Sequence, residues 1–474
     1  MPACVARSPS ITRTRPHCLR PPHTAPLTTP YPPPLHLSIP PTSPPPHLPI
    51  STQPLITIPG DLAVTAVDAR EHPLVGALAA DADEIGALAL WLVAERGAGP
   101  ASPAAPLLRS LPPATDTPIL WEDGERAGLL RGSPVLAEAR ARDAALDAAW
   151  AGLADRAVAA GLGGGDPAAA RAAWRAAVSV ILARATYLPS AGCFALLPLV
   201  GSAARTGAPD GAALDYDPDT GAAVLTAARA YAPGEAVALA DGRPSGELVL
   251  ATGALFEPKP GTNAADCLTV DVGLVPTDRL KEPKEAILGA MGYAPARQAF
   301  PIAADGMPLG LLAYLRLARV ADAAALAAVS FEADTPVSPA NEYEVLQLLL
   351  GECRDRLAGY EGPAEEDTKM LQRPGLPPRA ALAARLRLCE KAILQGTMDT
   401  VRRRLAPIRG IPIKGGGMRD ANADLLEVFD LLEGLPSLPG KVWGGLAGWA
   451  RGDGDPDWKK KGGGGGGGPP PWKP

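Results

Sequence analysis

Residues 181–206 read ILARATYLPSAGCFALLPLVGSAART, and the pattern of the chain changes within this stretch. Before it, the Ala-rich segments around 135–160 and 167–187 have helical spacing, and the glycine cluster 161–165 forms a loop between them. After it, residues 192–256 contain short apolar runs separated by turn residues, which predicts short strands. Helical periodicity then returns, so the sequence predicts an α+β fold.

Further elements are predicted on both sides of this stretch. Residues 55–59 are strand-like, and GALALWLVAERG after Ile85 has the apolar spacing of a helix. Asn341 and Glu344 suit a capping box at the start of a later helix. Two apolar stripes with helical spacing predict core packing in this half: Leu346, Leu349, Leu350, Cys353 and Leu357, then Leu382, Leu386, Cys389 and Ile393.

Composition excludes several classes of function. All five histidines lie in the first 72 of the 474 residues, so a Ser-His-Asp hydrolase, a Cys-His protease and a His-ligated metal enzyme are excluded. The six cysteines stand singly, which predicts neither a metal site nor a disulfide framework. The net charge of -6 gives no electrostatic reason for nucleic-acid binding. The chain has no run of eighteen apolar residues, so the sequence predicts no membrane span.

The ends of the chain differ in composition from its body. Residues 1–54 are rich in proline and arginine and have no acidic residue, which is typical of an organellar transit peptide. The alternatives are a disordered Pro-rich arm and a mistaken start in the gene model. We expect a first domain at 55–256, a second at 257–410, and a C-terminal segment with a Gly/Pro-rich tail at 411–474.

Local motifs in this order carry a family resemblance. They are Leu111-Pro112 with Pro118-Ile119-Leu120-Trp121, Trp174 with Ala183-Arg184-Ala185-Thr186, Leu197-Pro198-Leu199, Ala232-Pro233-Gly234-Glu235-Ala236-Val237, and Asp241-Gly242-Arg243-Pro244-Ser245-Gly246-Glu247-Leu248. Over roughly residues 55–410 the chain resembles the plant-type SET-domain protein-lysine methyltransferases related to the Rubisco large-subunit methyltransferase. Residues 341–391 look like the helical substrate-binding domain of that family.

The resemblance implies both a fold and a reaction. The fold is an incomplete SET-type β domain with a helical insert at about 85–187, followed by an all-helical substrate-binding-type domain. The reaction is methyl transfer from S-adenosylmethionine to a protein lysine in the chloroplast, with the cytoplasm as the alternative location. Such a site works largely by holding a neutral amine in line with the sulfonium methyl group, and it needs no metal.

Several residues depart from the pattern of active relatives. The cofactor-binding Asn-His pair falls on Ala204 and Arg205, and a preceding substrate-facing carboxylate falls on Gly201. The catalytic tyrosine falls on Ala240 or Asp241, depending on where a gap is placed. The second tyrosine falls on Thr252, and no glycine-rich cofactor turn precedes residue 55. Alanine offers none of the hydrogen bonds of an asparagine side chain.

One substrate-side position is retained. Arg184 matches the arginine that faces the substrate in the family, although a solvated or salt-bridged helix arginine is an equal alternative. The sequence therefore predicts a chain that binds S-adenosylmethionine poorly and is weakly active or inactive as a methyltransferase. The alternative function is a non-catalytic plastid scaffold that binds a protein through its C-terminal domain.

A weaker hypothesis concerns the basic residues near 402–419. Arg402, Arg403 and Arg404 precede a glycine run that begins after Lys414, and clustered guanidinium groups suit phosphate oxygens. Acidic residues follow directly, so a solvated helix end is the favoured interpretation.

Overall fold

The computed structural model describes residues 54–232, 235–255 and 260–408. The predicted leader up to residue 53, the predicted segment 411–474 and the basic residues beyond 408 lie outside the described residues. Within them the chain forms two compact units. The first comprises residues up to 266 together with 368–387, and the second comprises 267–367 together with the residues from 388 onward.

The first unit contains three small sheets. Its strands are β1 (Pro54–Pro59), β2 (Val64–Thr65), β3 (Thr186–Leu188), β4 (Cys193–Leu196), β5 (Arg205–Thr206), β6 (Ala213–Asp217), β7 (Ala222–Thr226) and β8 (Leu239–Ala240). The orders β1-β7-β6 and β2-β4-β3 are antiparallel, whereas β5 and β8 pair in parallel. Ile58, which is paired with Ala223, is buried in a core shared by these strands.

A block of helices interrupts the strands between β2 and β3. The helices of the first unit are α1 (Ala66–Glu71), α2 (Gly76–Ala79), α3 (Glu84–Ala98), α4 (Ala105–Ser110), α5 (Asp123–Leu129), α6 (Pro134–Ala159), α7 (Pro167–Arg184) and α8 (Ser245–Thr252). Leu88, Leu90 and Leu92 of α3 and Trp174 and Ile181 of α7 are almost fully buried in one core. This block confirms the helical insert, and the sequence predicted its three longest helices.

The glycine cluster forms the predicted loop between α6 and α7. Gly161, Gly163, Gly164 and Gly165 all have positive φ, a region that residues with a Cβ atom rarely adopt. A Cβ atom on Gly163 would also collide with the backbone nitrogen of Ala170. The glycines therefore let the chain reverse where α7 packs closely.

The second unit combines helices with one two-stranded antiparallel sheet. Its elements are β9 (Leu268–Val272), α9 (Lys281–Ala290), β10 (Gln298–Ile302), α10 (Leu309–Ala318) and α11 (Pro339–Gly359). The expectation of an all-helical domain is wrong, because β9 and β10 pair antiparallel with Val270 opposite Phe300. Their signal was the alternation of buried Leu268 and Val270 with exposed Thr269 and Asp271.

Two more helices, one short and one long, complete the described part of the fold. They are α12 (Ala364–Leu371) and α13 (Pro378–Ile408), and each has residues in both units. The α+β class is confirmed. The apolar stripe on α11 is confirmed as core, with Leu346, Leu349, Leu350 and Cys353 at most 2% exposed. On α13, Leu386, Cys389 and Ile393 are likewise buried.

The predicted capping box on α11 is wrong. Ser338 caps the helix, and its hydroxyl accepts the backbone N–H of Asn341 at 3.1 Å. Asn341 is itself buried and donates through its amide to the carbonyl oxygen of Arg316. Serine, asparagine and aspartate share the preference for helix starts, so composition alone did not distinguish the cap three residues earlier.

Replacing Leu350 by Asp should unfold or severely destabilise the second unit. Leu350 is 1% exposed, and a carboxylate placed there loses water without gaining a partner. We expect a loss of at least about 4 kcal/mol in urea unfolding followed by circular dichroism. The control is Ala358→Asp on an exposed position of the same helix, which should cost under about 1 kcal/mol. Equal stabilities of the two variants would contradict the assignment of this core.

Candidate functional site

The parallel pairing of β5 with β8 joins two distant segments of the chain. The backbone N–H of Leu239 donates to the carbonyl oxygen of Ala204 at 2.8 Å, and that of Asp241 donates to Thr206 at 2.9 Å. Ala240 donates in the other direction, to Ala212. The structure therefore brings together the positions predicted for the cofactor-binding pair, Ala204 and Arg205, and for the tyrosine, Ala240 or Asp241.

The two strands carry an ion pair between them. Arg205 Nη1 lies 3.2 Å from Asp241 Oδ2, and Arg205 Nη2 donates to Thr186 Oγ1 at 3.2 Å. Arg243 donates to the same carboxylate through Nε at 2.9 Å and Nη2 at 2.7 Å. The Asp241 side chain is only 4% exposed and that of Arg205 is 11% exposed. Two guanidinium groups thus share one buried carboxylate, while Ala204 and Ala240 present only exposed methyl groups.

Burial and charge act in opposite directions on this group. Burial alone would raise the pKa of Asp241, but the hydrogen bonds and charges of Arg243 and Arg205 hold that pKa below its ordinary value. Burial lowers the pKa of Arg205, the charges of Arg243 and Arg184 lower it further, and Asp241 opposes them. At neutral pH the carboxylate is therefore ionised.

Arg184 lies beside the predicted carboxylate position. It ends α7, and its Nη1 donates to the carbonyl oxygen of Gly201 at 2.6 Å. Its Nε is buried and has no hydrogen-bond partner among the described residues. No salt bridge in that part of the chain involves Arg184, which is half-buried. The structure therefore brings Arg184 and Gly201 together.

The structure does not bring Thr252 into this group. Thr252 ends α8, and its Oγ1 donates to the carbonyl oxygen of Leu248 at 2.7 Å. In the described residues its hydrogen bonds stay within 248–254. The next residue, Gly253, has a φ of 64°, and a Cβ atom there would collide with the carbonyl oxygen of Asp116. The chain packs tightly at this glycine, but Thr252 itself only closes a helix.

Sequence reasoning missed the contacts of Thr186 and Arg243. Thr186 precedes the strand residue Tyr187, and Arg243 follows Asp241 by two residues. The available signal was charge, because Arg205 stands where the family pattern has histidine and Asp241 is one of the two positions expected for the tyrosine. A buried acid and a base at paired positions are expected to contact each other.

Among the described residues, no three or more His, Cys, Asp or Glu side chains lie close enough together to hold a metal ion. His72 is the single histidine between 54 and 408, and its Nδ1 accepts the backbone N–H of Leu74 at 3.2 Å. The helices of this part of the chain include none with the length and apolarity of a transmembrane span.

Comparisons with known proteins match both units. A sequence profile described as Rubisco LSMT substrate-binding matches residues 275–394. The structure entitled "Structure of Rubisco LSMT bound to AdoMet" superposes with a TM-score of 0.60 at 20% identity, over 84% of this chain and 90% of that one. A second, of the SET domain of LSMT bound to lysine and AdoHcy, also has a TM-score of 0.60. This chain has the fold of a SET-domain methyltransferase. The resemblance to the Rubisco large-subunit methyltransferase type is confirmed.

Related sequences align over shorter stretches. The actin-histidine N-methyltransferase of Danio rerio is 29% identical over 340 residues, which is 65% of this SET-type chain and 54% of that protein. The chloroplastic [fructose-bisphosphate aldolase]-lysine N-methyltransferase of Arabidopsis thaliana is 32% identical over 127 residues, 25% of each chain. The chain thus spans about half the length, or less, of these curated relatives.

Removing the shared carboxylate should destabilise the first unit of this SET-type chain. Asp241→Asn leaves Arg205 and Arg243 close together without their counter-charge, and breaking a buried pair costs about 3 kcal/mol. The matched control is Asp81→Asn, which breaks an exposed pair with Arg156 and should cost under about 1 kcal/mol. Urea unfolding at pH 7 measures both.

The pH dependence of this difference follows from the lowered pKa. An aspartate whose pKa is lower in the folded than in the unfolded state stabilises the fold above its unfolded value of about 3.8. That stability is lost as the pH falls through the folded pKa. The gap between wild type and Asp241→Asn should therefore be full at pH 6–8 and shrink below about pH 4. A gap that does not depend on pH would show that the ionised carboxylate is not the stabilising group.

Proposed function

We propose that this chain is a protein-binding SET-type module in which methyl transfer from S-adenosylmethionine to a protein lysine is weak or lost. The observation that supports this most directly is the ion-paired group of Arg205, Asp241 and Arg243. It stands where the family pattern has a cofactor-binding Asn-His pair and a catalytic tyrosine. The relatives extend well beyond the aligned stretches, so their activities are not carried over whole, and the residues of this chain support the proposal.

The residues present do not fit S-adenosylmethionine. The methyl group of Ala204 neither donates nor accepts a hydrogen bond, and its backbone carbonyl oxygen already accepts from Leu239. The Arg205 guanidinium is held by Asp241 and Thr186. Each unmade hydrogen bond to a charged group forfeits about 1.5–3 kcal/mol.

The acceptor side of the reaction also lacks a phenol. Positions 240, 241 and 252 carry Ala, Asp and Thr. The tyrosine nearest in sequence to Thr186 is Tyr187, whose ring packs on Phe194 with centroids 5.2 Å apart. Tyr231 packs instead under the guanidinium of Arg229. Losing a single donor that stabilises a transition state costs about a hundredfold or more in rate, so the combined losses leave little catalysis.

The partner we propose is a protein, and the location is the chloroplast. The named relatives act on actin, aldolase and the Rubisco large subunit, all of which are proteins. Two of them are described as chloroplastic. The composition of residues 1–54 supports the same location. The second unit, which matches the substrate-binding profile, supplies the surface for such a partner.

Retained methyl transfer is the second candidate function. It is favoured by Arg184, whose family position is kept and whose buried Nε has no partner among the described residues. In this case the acceptor is a lysine or a histidine of a protein, as in the names of the relatives. This candidate requires cofactor binding by residues other than Ala204 and Arg205.

Titration calorimetry of the full chain with S-adenosylmethionine separates the two candidates. Two lost hydrogen bonds to charged groups cost at least about 3 kcal/mol, which weakens a micromolar site by about 150-fold or more, so we expect no saturable heat below about 0.1 mM cofactor. Incubation with plastid extract and methyl-labelled cofactor should label no protein. Micromolar binding by the unmodified chain would contradict the proposal and support the enzyme.

A triple variant tests whether restoring three side chains of the family pattern is enough to restore methyl transfer. Ala204→Asn, Arg205→His and Ala240→Tyr together restore the side chains of the family pattern at the β5–β8 pairing. We expect no methyl transfer from this variant, because the glycine-rich cofactor turn and the tyrosine at position 252 are still missing. The same label incorporation assay measures it, and recovery of activity would show that these three positions alone caused the loss.

A further inference from the structure

The cluster at the β5–β8 pairing carries more positive than negative charge. Arg184, Arg205 and Arg243 surround it, and Asp241 is the one carboxylate that pairs with any of them among the described residues. Thr186 connects the members, because it follows Arg184 by two residues and accepts a hydrogen bond from Arg205. Arg184 has no acidic partner in that part of the chain. A site with this excess favours an anionic group and repels a lysine ammonium.

A strained apolar residue lies beside this cluster. Leu199 has a φ of 69° and a ψ of -46°, and Val200 N–H donates to the carbonyl oxygen of Pro198 at 2.8 Å. This is the rare γ-turn with positive φ, which is strained for a residue with a side chain. Leu199 is the one residue other than glycine with positive φ in the described chain.

The strained turn exposes a large side chain. Leu199 is 72% exposed, whereas its neighbours Leu197 and Val200 are 2% and 1% exposed. Two residues later, the carbonyl oxygen of Gly201 accepts the hydrogen bond from Arg184, so the exposed leucine stands two residues from the backbone that this arginine contacts. Strain of this kind persists where the surrounding structure enforces it, and it is concentrated at binding and active sites.

We propose that the surface formed by Arg184, Leu199, Arg205 and Arg243 binds a peptide segment of the partner protein that has a glutamate or aspartate beside a large apolar side chain. This inference rests on the proposed function, because the segment belongs to the proposed protein partner, which it contacts through the first unit in addition to the surface of the second. The carboxylate balances the excess charge of the arginines, and the apolar side chain covers Leu199. The occupant is thus opposite in charge to the lysine segment that a methyltransferase of this fold type would accept.

Two labelled peptides of equal length test the charge preference. One alternates leucine with glutamate and the other alternates leucine with lysine, and fluorescence anisotropy follows their binding to the full chain. We expect saturable binding of the glutamate peptide and at least tenfold weaker binding of the lysine peptide. Equal binding of the two peptides, tighter binding of the lysine peptide, or no saturable binding of either overturns the proposal.

The variant Leu199→Gly tests the apolar contact. Glycine adopts positive φ without strain, so the unfolding midpoint should stay equal or rise while the glutamate peptide binds at least tenfold more weakly. The control Leu62→Gly removes another exposed leucine of the first unit, 54% exposed, and should leave peptide binding unchanged. Wild-type affinity of Leu199→Gly overturns the proposal.

The two proposals fail separately. Calorimetry with S-adenosylmethionine reports on the loss of the methyl-donor site whatever the peptides do. If the chain binds neither the cofactor nor the peptides, the result supports the proposed loss of methyl transfer and contradicts only the proposed peptide-binding surface.

Discussion

The parallel pairing of Arg205–Thr206 with Leu239–Ala240 is the constraint on which the candidate site depends. The two strands are short, but Ala212 bonds to the far side of the second strand through Ala238 and Ala240. Gly211 has to be a glycine, because a Cβ atom there would lie 2.7 Å from the nitrogen of Ala240. The backbone therefore fixes which side chains face each other before their chemistry is considered.

The ion pairs at this pairing stabilise the fold. Arg205 and Asp241 satisfy each other, and Arg243 completes the bonds of the carboxylate. Asp241 is buried and balances both guanidinium groups, so removing it would leave two neighbouring cations without their counter-charge. The same backbone scaffold is thus compatible with catalysis or with binding, and the residues at positions 204, 205, 240 and 241 decide between them.

The sequence predicted those parts of the molecule whose signal is local. The helix after Ile85 and the stripe around Leu350 were found because apolar spacing repeats over several turns. β9 and β10 were missed although Leu268 and Val270 alternate with polar residues, since helical signals surround them. The sequence predicted the cap at Asn341, three residues after the actual cap Ser338, because serine and asparagine both favour helix starts.

The candidate site was predictable in position but not in chemistry. Aligning the motifs without gaps identified 204 and 205, and a choice of gap left 240 or 241 for the tyrosine. The pairing of β5 with β8 is what places these positions side by side. Neither strand is long enough to show periodicity, and the Arg205–Asp241 contact joins residues 36 apart, so only the fold reveals it. The exposed γ-turn at Leu199 has no sequence signal, because leucine is an unfavourable residue for positive φ.

A double-mutant cycle on Arg205 and Asp241 tests directly whether these two side chains stabilise each other in the folded protein. Urea unfolding of the wild type, Arg205→Gln, Asp241→Asn and the double variant gives the coupling free energy between the two side chains. The ion pair predicts a coupling of about 1–3 kcal/mol, with the double variant more stable than the sum of the single losses implies. The exposed pair Arg156–Asp81, treated the same way, should give under about 0.5 kcal/mol. Additive losses at Arg205 and Asp241, within about 0.3 kcal/mol, would show that the two residues do not hold each other and would contradict the account.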